Sequence, residues 1–467
     1  MNPLADIHLA MFGILVLWVG LVIFICRKTI NAGSVGLPAA MALTMSFLYG
    51  GCFVYAVPGY THTRPDGHWY LNSYNFTEWM VVQGAAASLL GLVGLALGVT
   101  LAQRRKQPVI LPRQGISQIY ERNMMVAFST ISLLGMLLIQ LRISFPFSGA
   151  IFELSRNVLV MLICLGAYRA RRDGRSMLPW LALAVVVPIY YMVSFGLASY
   201  GLMFSMTLIA FWLAMLRTAR GTLKTTIMAI VIGQAMLTLF IGWMSFREEI
   251  RLVAWQGVSG SVLDLLWQAM AQTKLFSLTN FDALDIVNIR LNLPLFIGRM
   301  IEQHELFPEL QLWGSTLVIL PLVLLPRALW PGKPTRGGSD FMSEHTGITL
   351  SENVTFGSGT VFEFYANFGY IGVFLGFIVV GWVIRRIDMA AYASLLTGRY
   401  LDFARWYVMG LVALDPLLRP FFIVNGIVFA WILMGLLKFS LLRLGSRRRS
   451  PPRSVTAHTP PPQFKHE

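Results

Sequence analysis

Arg327 and Lys333 are the residues whose types and spacing most directly suggest chemistry in this sequence. They lie six residues apart within residues 326–334, which also contain three prolines. Arginine can bind two phosphate oxygens through its planar guanidinium, and lysine acts as a compact point charge. The two cations therefore indicate an anion-binding site. The alternative, which remains open, is that both side chains extend from a buried helix to lipid headgroups.

Glu363 is a second candidate, and its spacing fits two roles. It follows Thr360 by three residues, as in a capping box, where the threonine caps a helix N-terminus and the glutamate bonds back to its amide. It also shares i, i+4, i+7 spacing with Asn367 and Tyr370, which would place the three side chains on one helix face. On such a face Glu363 could accept the proton of a hydroxyl group. Capping and proton transfer both remain open.

Three further arginines could contact an anion. Arg419 lies between two prolines and follows Asp415 by four residues, so it could pair with Asp415 or bind a phosphate. Arg247 and Arg251 are one helical turn apart and interleave with two glutamates, which favours a solvated, self-paired helix face. Arg247 nevertheless remains a candidate for an anion contact.

Composition places all of these residues in an integral membrane protein. Of its 467 residues, 56% are hydrophobic and 13% are charged, and the mean hydropathy is +0.64. A span needs about 20 mostly apolar residues. We predict an all-α, polytopic bundle of about eleven spans, near residues 7–26, 37–57, 79–101, 123–141, 151–168, 177–195, 201–216, 225–245, 361–383, 404–418 and 421–441.

The distribution of lysine and arginine predicts the orientation of the bundle. The first span has no cation before it and Arg27-Lys28 after it, so we place the N-terminus outside the cytoplasm. With that choice, 25 of the 37 cations fall on the inner side, and eight of the other 12 lie in residues 246–360. Cytoplasmic loops carry this excess in membrane proteins. The net charge of +15 is then mostly cytoplasmic-face charge, and it does not imply binding to nucleic acid.

The predicted spans divide the chain into four regions. Residues 1–245 form an N-terminal transmembrane bundle of about eight spans, and residues 246–360 form a long outer segment. Residues 361–443 hold the last spans, and residues 444–467 form a basic, proline-rich tail that we expect to be disordered in the cytoplasm. In the outer segment we predict short amphipathic helices at Leu263–Met270 and Leu295–Met300, and an interfacial or re-entrant helix at Trp313–Leu325 that Pro321 interrupts.

No metal, disulfide or cofactor site is predicted from the sequence. The three cysteines lie within predicted spans without paired spacing, and we interpret the two histidines of the outer segment as isolated surface residues. The acidic pairs of this segment form no ligand set with them. The residues concerned are Cys26, Cys52, Cys164, His304, His345, Asp282, Asp285, Glu302 and Glu305.

One stretch of about 70 residues carries a resemblance to a known family. It contains Gly314-Ser315-Thr316, a short apolar helix, Pro326-Arg327, Leu329-Trp330-Pro331 and Lys333-Pro334, and then Glu363-Phe364-Tyr365-Ala366-Asn367-Phe368-Gly369 followed by an apolar span. This pattern resembles the Wzy-type polymerases of O-antigen and related repeat-unit polysaccharides. Arg290 lies where that family tends to carry an arginine. The family's middle hairpin often carries one as well, whereas residues 194–201 contain no cation here.

The resemblance implies a GT-C-like helical fold and a glycosyltransferase that uses no nucleotide sugar or other cofactor. It would join oligosaccharide units carried on undecaprenyl pyrophosphate at the periplasmic face of a bacterial inner membrane, with a periplasmic N-terminus and a cytoplasmic C-terminus. Membrane lipids, a chain-length regulator and a flippase are the implied partners. Glu363 and Arg327 would be catalytic, and the residues contacting pyrophosphate or glycan would be Lys333, Arg290, Arg419, Asn367, Tyr370 and Arg247.

Two other functions remain open. An O-antigen ligase would share the fold and the donor but would pass the glycan to the lipid A core. A flippase or exporter of lipid-linked sugars would need charged residues distributed through many spans, whereas the charges of this chain are almost confined to predicted loops. The polymerase is our leading prediction.

Overall fold

The computed structural model describes residues 3–61, 76–103, 118–141, 148–195, 198–215, 222–256, 259–273, 275–325, 329–330, 338–349 and 357–447. In these ranges the protein is all-helical, without a β-strand. Short 3₁₀ helices at Gly50–Ala56, Pro308–Leu310 and Leu320–Leu324 connect or extend the α-helices. The α-helices are α1 (Pro3–Asn31), α2 (Leu37–Tyr49), α3 (Glu78–Ala102), α4 (Gln118–Gln140), α5 (Ser148–Arg172), α6 (Leu178–Phe195), α7 (Ala198–Met215), α8 (Thr222–Gln256), α9 (Val262–Gln272), α10 (Phe281–Leu291), α11 (Leu293–Leu306), α12 (Ser315–Val318), α13 (Ser339–Thr346), α14 (Gly359–Leu396), α15 (Tyr400–Val412) and α16 (Pro420–Arg447).

The helices make this a multi-pass membrane protein. Each of the eleven predicted apolar segments overlaps a helix, although the tenth, 404–418, is helical only as far as Val412. Six helices of the described part are long and apolar enough to cross a membrane: Ala5–Asn31, Leu37–Ala56, Glu78–Ala102, Ile151–Arg172, Gly359–Leu396 and Pro420–Leu441. Three further apolar helices of the described part are shorter, at Arg122–Leu138, Leu178–Ser194 and Ser199–Met215. The number of crossings beyond six, and the GT-C-like arrangement, stay predictions.

The two ends of the bundle are built from the two predicted sides of the chain. Residues assigned to the outer side contact one another, as in the pairs His8 with Tyr55, Tyr60 with Asp285, and Thr360 with Leu418. Residues assigned to the inner side do the same, as in the pairs Lys28 with Gln103, Arg171 with Met215, and Ser34 with Asp388. The alternation of ends that we predicted is therefore consistent with the fold. Which end faces the periplasm stays a prediction.

Glycines allow the central helices to pack backbone against backbone. A Cβ atom at Gly84 of α3 would lie 1.8 Å from the Pro294 carbonyl oxygen of α11, and one at Gly98 would lie 2.1 Å from the Ile378 carbonyl oxygen of α14. Such close approach of helices is typical of membrane proteins, where small residues line the interface. Helix α11 belongs to the outer segment in sequence but is packed into the bundle core.

A buried ion pair joins α14 to the connection between α1 and α2. Arg385 and Asp388 are fully buried and bond to each other. Asp388 Oδ1 accepts hydrogen bonds from the backbone amides of Val35 and Leu37, each at 3.1 Å, and so caps the N-terminus of α2 from another helix. Arg385 is one of the cations counted on the inner side, and the structure buries it between helices beside the connection of α1 to α2.

The outer segment contains more helix than predicted. The helices predicted at Leu263–Met270 and Leu295–Met300 are confirmed as parts of α9 and α11, and α10 and α13 are additional. The helix predicted at Trp313–Leu325, which Pro321 was expected to interrupt, is divided into two short helical turns, α12 and Leu320–Leu324. Pro321 starts the second turn and cannot continue the first. The predicted tail begins inside α16, and residues 448–467 lie outside the described residues.

Candidate functional site

An ion pair of Glu363 and Arg419 forms the centre of the candidate site. Arg419 Nε donates to Oε2 of Glu363 at 2.5 Å. The Glu363 side chain is fully buried, and the Arg419 side chain is 12% exposed. Glu363 lies in the second turn of α14, and Arg419 directly precedes α16. The site therefore joins the first turns of two long apolar helices at the end of the bundle that we predict to face outward.

Thr360 holds the two parts of this site together. Its backbone amide donates to the Pro416 carbonyl oxygen at 3.1 Å, and its hydroxyl donates to the Leu418 carbonyl oxygen at 2.8 Å. The connection before Arg419 is thus fixed to the start of α14. The predicted capping box is wrong, because Thr360 lies inside the helix, after the N-cap position Ser358, and its side chain bonds to this connection. Glu363 is engaged by Arg419 instead of capping α14.

Arg419 has binding capacity beyond its pairing with Glu363. Its guanidinium lies 4.0 Å from the centre of the Phe341 ring, which fixes the planar group by a cation–π contact. Among the described residues, its two terminal amino groups have no hydrogen-bond acceptor. The alternative of an Arg419 pair with Asp415 is wrong, since the carboxylate that Arg419 contacts is Glu363. Two donors of a rigid fork are therefore available for an anion.

Two buried acceptors on α14 lack a donor in the described part of the protein. Oε1 of Glu363 and Oδ1 of Asn367 are both buried without a hydrogen-bond partner there. The Asn367 amide nitrogen is used, because it donates to the Glu363 carbonyl oxygen and to Thr316 Oγ1, each at 2.8 Å. A buried acceptor without a donor costs about 1–3 kcal/mol. Two such acceptors one turn apart suit a ligand that brings hydroxyl groups.

A sharp bend in α14 separates Tyr370 from Glu363 and Asn367. Phe368 (φ −144°, ψ 24°) and Gly369 (φ 59°, ψ −148°) are not helical, and the φ of Gly369 lies in the region that favours glycine. Asn367 is fully buried, whereas Tyr370 is 40% exposed. The predicted common face of the three residues is therefore wrong, because it assumed one straight helix. Asn367 stays beside Glu363, and Tyr370 does not share their face.

The bend folds the start of α14 back along the rest of the helix. A Cβ atom at Gly372 would lie 2.4 Å from the Phe364 carbonyl oxygen, and one at Gly376 would lie 2.4 Å from the Phe364 ring. The absence of side chains at these glycines leaves room for the first segment of α14, residues 359–367. Glu363 thus lies on a short, rigidly packed helical segment.

The separate parts of the family-like pattern meet at this segment. Thr316 accepts the hydrogen bond from Asn367, and the Leu312 amide donates to the Ala366 carbonyl oxygen at 2.9 Å. Trp330 packs edge-to-face on Phe421, two residues after Arg419, with ring centroids 6.1 Å apart. Residues 312–316, 363–367 and Trp330 therefore converge around the ion pair.

Arg327 and Lys333, the two cations of residues 326–334, lie outside the described residues. Trp330 stands three residues from each of them in sequence and contacts Phe421. Their part in the site stays a prediction.

Two buried histidines lie next to the ion pair. His304 Nε2 and His345 Nδ1 are 3.0 Å apart, and the His345 ring is 4.6 Å from the Phe341 ring that Arg419 covers. Burial, and then the charges of His304 and Arg419, lower the pKa of His345 to about 4, and burial lowers the pKa of His304. Both rings are therefore neutral at neutral pH. The interpretation of these histidines as isolated surface residues is wrong.

The sequence does contain a signal for the burial of His304. Ile297, Ile301 and His304 have the spacing of one helix face, and that face of α11 is buried. In the described ranges, no three His, Cys, Asp or Glu side chains lie close enough together to hold a metal ion, and this includes the two histidines.

A separate cationic cluster consists of Arg247, Arg251 and Arg290. Burial, and then the charges of Arg251 and Arg290, lower the pKa of Arg247 to about 10. Arg290 is exposed, while Asn288 on another face of α10 donates to the buried hydroxyl groups of Tyr55 and Tyr60 at 3.1 Å. This polar network fixes the position of α10. Glu248 lies 3.3 Å from Arg251, so the predicted self-pairing on α8 is confirmed.

Another helix supplies a cation to the middle hairpin. The Arg156 guanidinium of α5 lies 5.1 Å from the centre of the Tyr200 ring of α7. Residues 194–201 contain no cation themselves. Arg156 was not among the candidate residues, because nothing in its local sequence links it to this hairpin.

Comparison with known proteins found no counterpart for this chain: no family model, no curated protein and no solved structure matches it.

Proposed function

We propose that this protein is a glycosyltransferase that polymerises oligosaccharide units carried on undecaprenyl pyrophosphate, at the periplasmic face of a bacterial inner membrane. The observation that carries the proposal is the ion pair of Glu363 and Arg419. Its carboxylate keeps one oxygen for a hydroxyl group, and its guanidinium keeps two amino groups for an anion. A polymerase of this kind needs both functions at one carbon atom, since a hydroxyl attacks where a pyrophosphate leaves.

The proposed reaction forms one bond and breaks another. A hydroxyl oxygen of one lipid-linked unit bonds to the anomeric carbon of another, and the bond from that carbon to the pyrophosphate oxygen breaks. The hydroxyl proton passes to Oε1 of Glu363, and the lipid pyrophosphate leaves with the electron pair. Such a base must come within about 2.6–3.2 Å of the hydroxyl oxygen. Asn367 Oδ1, one turn further along α14, would accept a second hydrogen bond from the same sugar.

The pairing of Glu363 with Arg419 links the proton transfer to the departure of the leaving group. When Glu363 takes the proton, it loses the negative charge that neutralises Arg419. The guanidinium charge is then available just as negative charge develops on the pyrophosphate. Fixed cations placed where charge develops are among the largest contributions to catalysis, and low polarity strengthens them. Arg327 and Lys333, in the segment that contains Trp330, are proposed to bind the same pyrophosphate.

The surface glycan of a deletion strain of the source organism tests this proposal. We expect the strain to carry single repeat units in place of a ladder of chain lengths on a gel. An undiminished ladder would contradict the proposal. Long polymer that accumulates on its lipid carrier would instead identify a ligase.

Purified protein separates the enzyme from a transporter. In detergent there is no membrane to cross, so only an enzyme lengthens lipid-linked glycans under these conditions. We expect products of two or more units from wild-type protein. Unchanged single units would favour a flippase or exporter.

A further inference from the structure

A partly open cavity of about 830 Å³ lies between α1, α2, α8 and α10. We call it the apolar groove. Phe12, Phe47 and Met236 are typical of its lining, and among the described residues the side-chain polar groups that line it are the hydroxyls of Ser46 and Thr279. Its volume is at the upper end of the roughly 300–1,000 Å³ that small-molecule sites occupy. It is therefore large enough for a substantial part of a hydrocarbon chain.

The groove opens to the outside of the bundle in the half that we predict to face the periplasm. Its rim includes Phe12 and Leu278, whose side chains are 54% and 58% exposed. Its lining comes from the first half of α1 and the second half of α2, and both of these lie towards the end where His8 bonds to Tyr55. A lipid chain in the surrounding bilayer could enter the groove from the side.

The face of α8 that lines the groove continues into the cationic cluster. Gly233, Met236 and Leu237 line the groove, and the same helical spacing places Arg247 and Arg251 on this face further along. At 1.5 Å per residue, Arg247 lies about 15 Å beyond Leu237 along the helix axis. This separation takes the face from an apolar depth to the headgroup region.

Helix α10 runs beside α8 and adds the third cation. The chain before α10 is fixed to α8, because Gln234 donates to the Phe276 carbonyl oxygen at 2.6 Å and the Phe276 amide donates to Thr238 at 3.1 Å. Val287 of α10 lines the groove, and Arg290 follows it by one turn. Burial, and then the charges of both other arginines, lower the pKa of Arg247. Glu248 offsets part of the positive charge of this cluster.

The polymerisation reaction requires a second lipid site, because both of its substrates are lipid-linked. We propose that the apolar groove and the cluster of Arg247, Arg251 and Arg290 bind the lipid pyrophosphate of the acceptor unit, with the polyprenyl chain in the groove and the phosphates on the arginines. This inference rests on the proposed function, which supplies the identity of the lipid. It adds a second site to the donor site at Glu363 and Arg419.

The acceptor, and not the donor, fits this location. The donor pyrophosphate leaves from the carbon that the hydroxyl attacks, so it must lie beside the base Glu363. The acceptor pyrophosphate stays intact and is separated from the attacking hydroxyl by the length of an oligosaccharide unit. Helix α2 provides such a separation, because Phe47 lines the groove while Tyr49, on another face, donates to the Pro416 carbonyl oxygen near Arg419 at 3.4 Å.

Native mass spectrometry with undecaprenyl pyrophosphate tests the number of lipid sites. We expect the full-length wild-type protein to bind two molecules, and the variant Arg247→Gln/Arg251→Gln/Arg290→Gln to bind one, with its second binding step weakened at least tenfold. Arg419→Gln should also leave one site. The control Arg175→Gln/Arg399→Gln removes two exposed cations at the other end of the bundle and should bind two. Wild-type protein that binds a single molecule would overturn the inference.

A second pair of variants tests the groove itself. A Cβ atom at Gly233 meets no atom within 4 Å, so Gly233→Leu should fill the groove without disturbing the fold. It should abolish the same binding step that the arginine variant weakens. Gly20→Leu on α1, where a Cβ atom also meets nothing within 4 Å, is the matched control outside the groove and should bind two molecules. Normal binding by Gly233→Leu would contradict the placement of the chain.

Competing lipids distinguish the proposed occupant from general membrane lipid. Undecaprenol, which lacks phosphate, should not fill the second site, and phosphatidylglycerol should not displace undecaprenyl pyrophosphate from it. Displacement by phosphatidylglycerol would overturn the inference. Two binding steps without any lengthening of glycans would support the lipid site and contradict the polymerase. Chain growth by a protein with one lipid site would support the polymerase and contradict the second lipid site.

Discussion

Arg419 donates a hydrogen bond to Glu363 across 56 residues of sequence, and the bond lies where two apolar helices begin. An ion pair at such a buried position is not explained by stability alone, because removing two charges from water costs about as much as their attraction returns. The pair also leaves Oε1 of Glu363 and two amino groups of Arg419 without partners in the described part of the protein. These atoms suit a hydroxyl group and an anion, which is why we place the reaction here.

Arg419→Lys separates the charge of this residue from its shape. Lysine keeps the positive charge beside Glu363 but cannot pair with it and also present a planar fork to a phosphate. We expect chain growth to fall roughly 10²–10³-fold, the range for losing one preorganised donor, while the protein remains folded in the membrane. The measurement is the rate of glycan lengthening by purified protein, with Arg399→Lys as the control. A rate near that of the wild type would show that Arg419 acts only as a counter-charge.

The buried ion pair of Arg385 and Asp388, at the other end of the bundle, should affect the stability of the protein without affecting the candidate site. In Asp388→Asn the buried Arg385 loses its counter-charge and the α2 cap is weakened, so we expect the free energy of unfolding in detergent to fall by about 3–5 kcal/mol. Asp402→Asn removes a partner of Lys438 in a pair that is still partly exposed to solvent, and it should change the free energy of unfolding by no more than about 1 kcal/mol. Equal changes in the free energy of unfolding for the two variants would show that the buried ion pair contributes no more to stability than the partly exposed one.

The histidine pair predicts a pH dependence of stability. His345 has a pKa of about 4 in the folded protein, below the ordinary value of 6.5, because burial and the charges of His304 and Arg419 oppose protonation. The unfolded chain therefore binds the proton first. The stability that neutral His345 contributes is complete above about pH 6.5 and is lost as the pH falls towards 4.

The melting temperature of the detergent-solubilised protein between pH 7 and pH 4 checks this dependence. We expect it to fall over this range in the wild type and to fall less in His345→Gln, which cannot take up the proton. The same slope in both proteins would mean that other groups account for the loss.

The helices could be predicted from the sequence because hydropathy is a local property. Each predicted apolar segment overlaps a helix, since about 20 consecutive apolar residues favour the same structure wherever they occur. The bend at Phe368 and Gly369 was not predicted, because helical spacing assumes a continuous helix. Tyr370 was assigned to the wrong face for that reason.

The partners of the site residues could not be predicted, because they are distant in sequence. Local spacing suggested Asp415 as the partner of Arg419 and Thr360 as the partner of Glu363. The actual partners are set by the packing of α14 against the start of α16, which pairs Glu363 with Arg419. Glu363 and Asn367 became candidates through their helical spacing and the family-like pattern, whereas their unpartnered oxygens are visible only in the structure.

Chain-length analysis of products made in detergent by wild-type protein and by Glu363→Gln tests the central claim most directly. Glutamine has nearly the same shape and can still accept from Arg419, but it cannot take a proton from the hydroxyl. We expect wild-type protein to make a ladder of products and Glu363→Gln, inserted at normal levels, to lose about 10²–10⁴-fold in rate. A ladder made at the wild-type rate by Glu363→Gln would contradict the account.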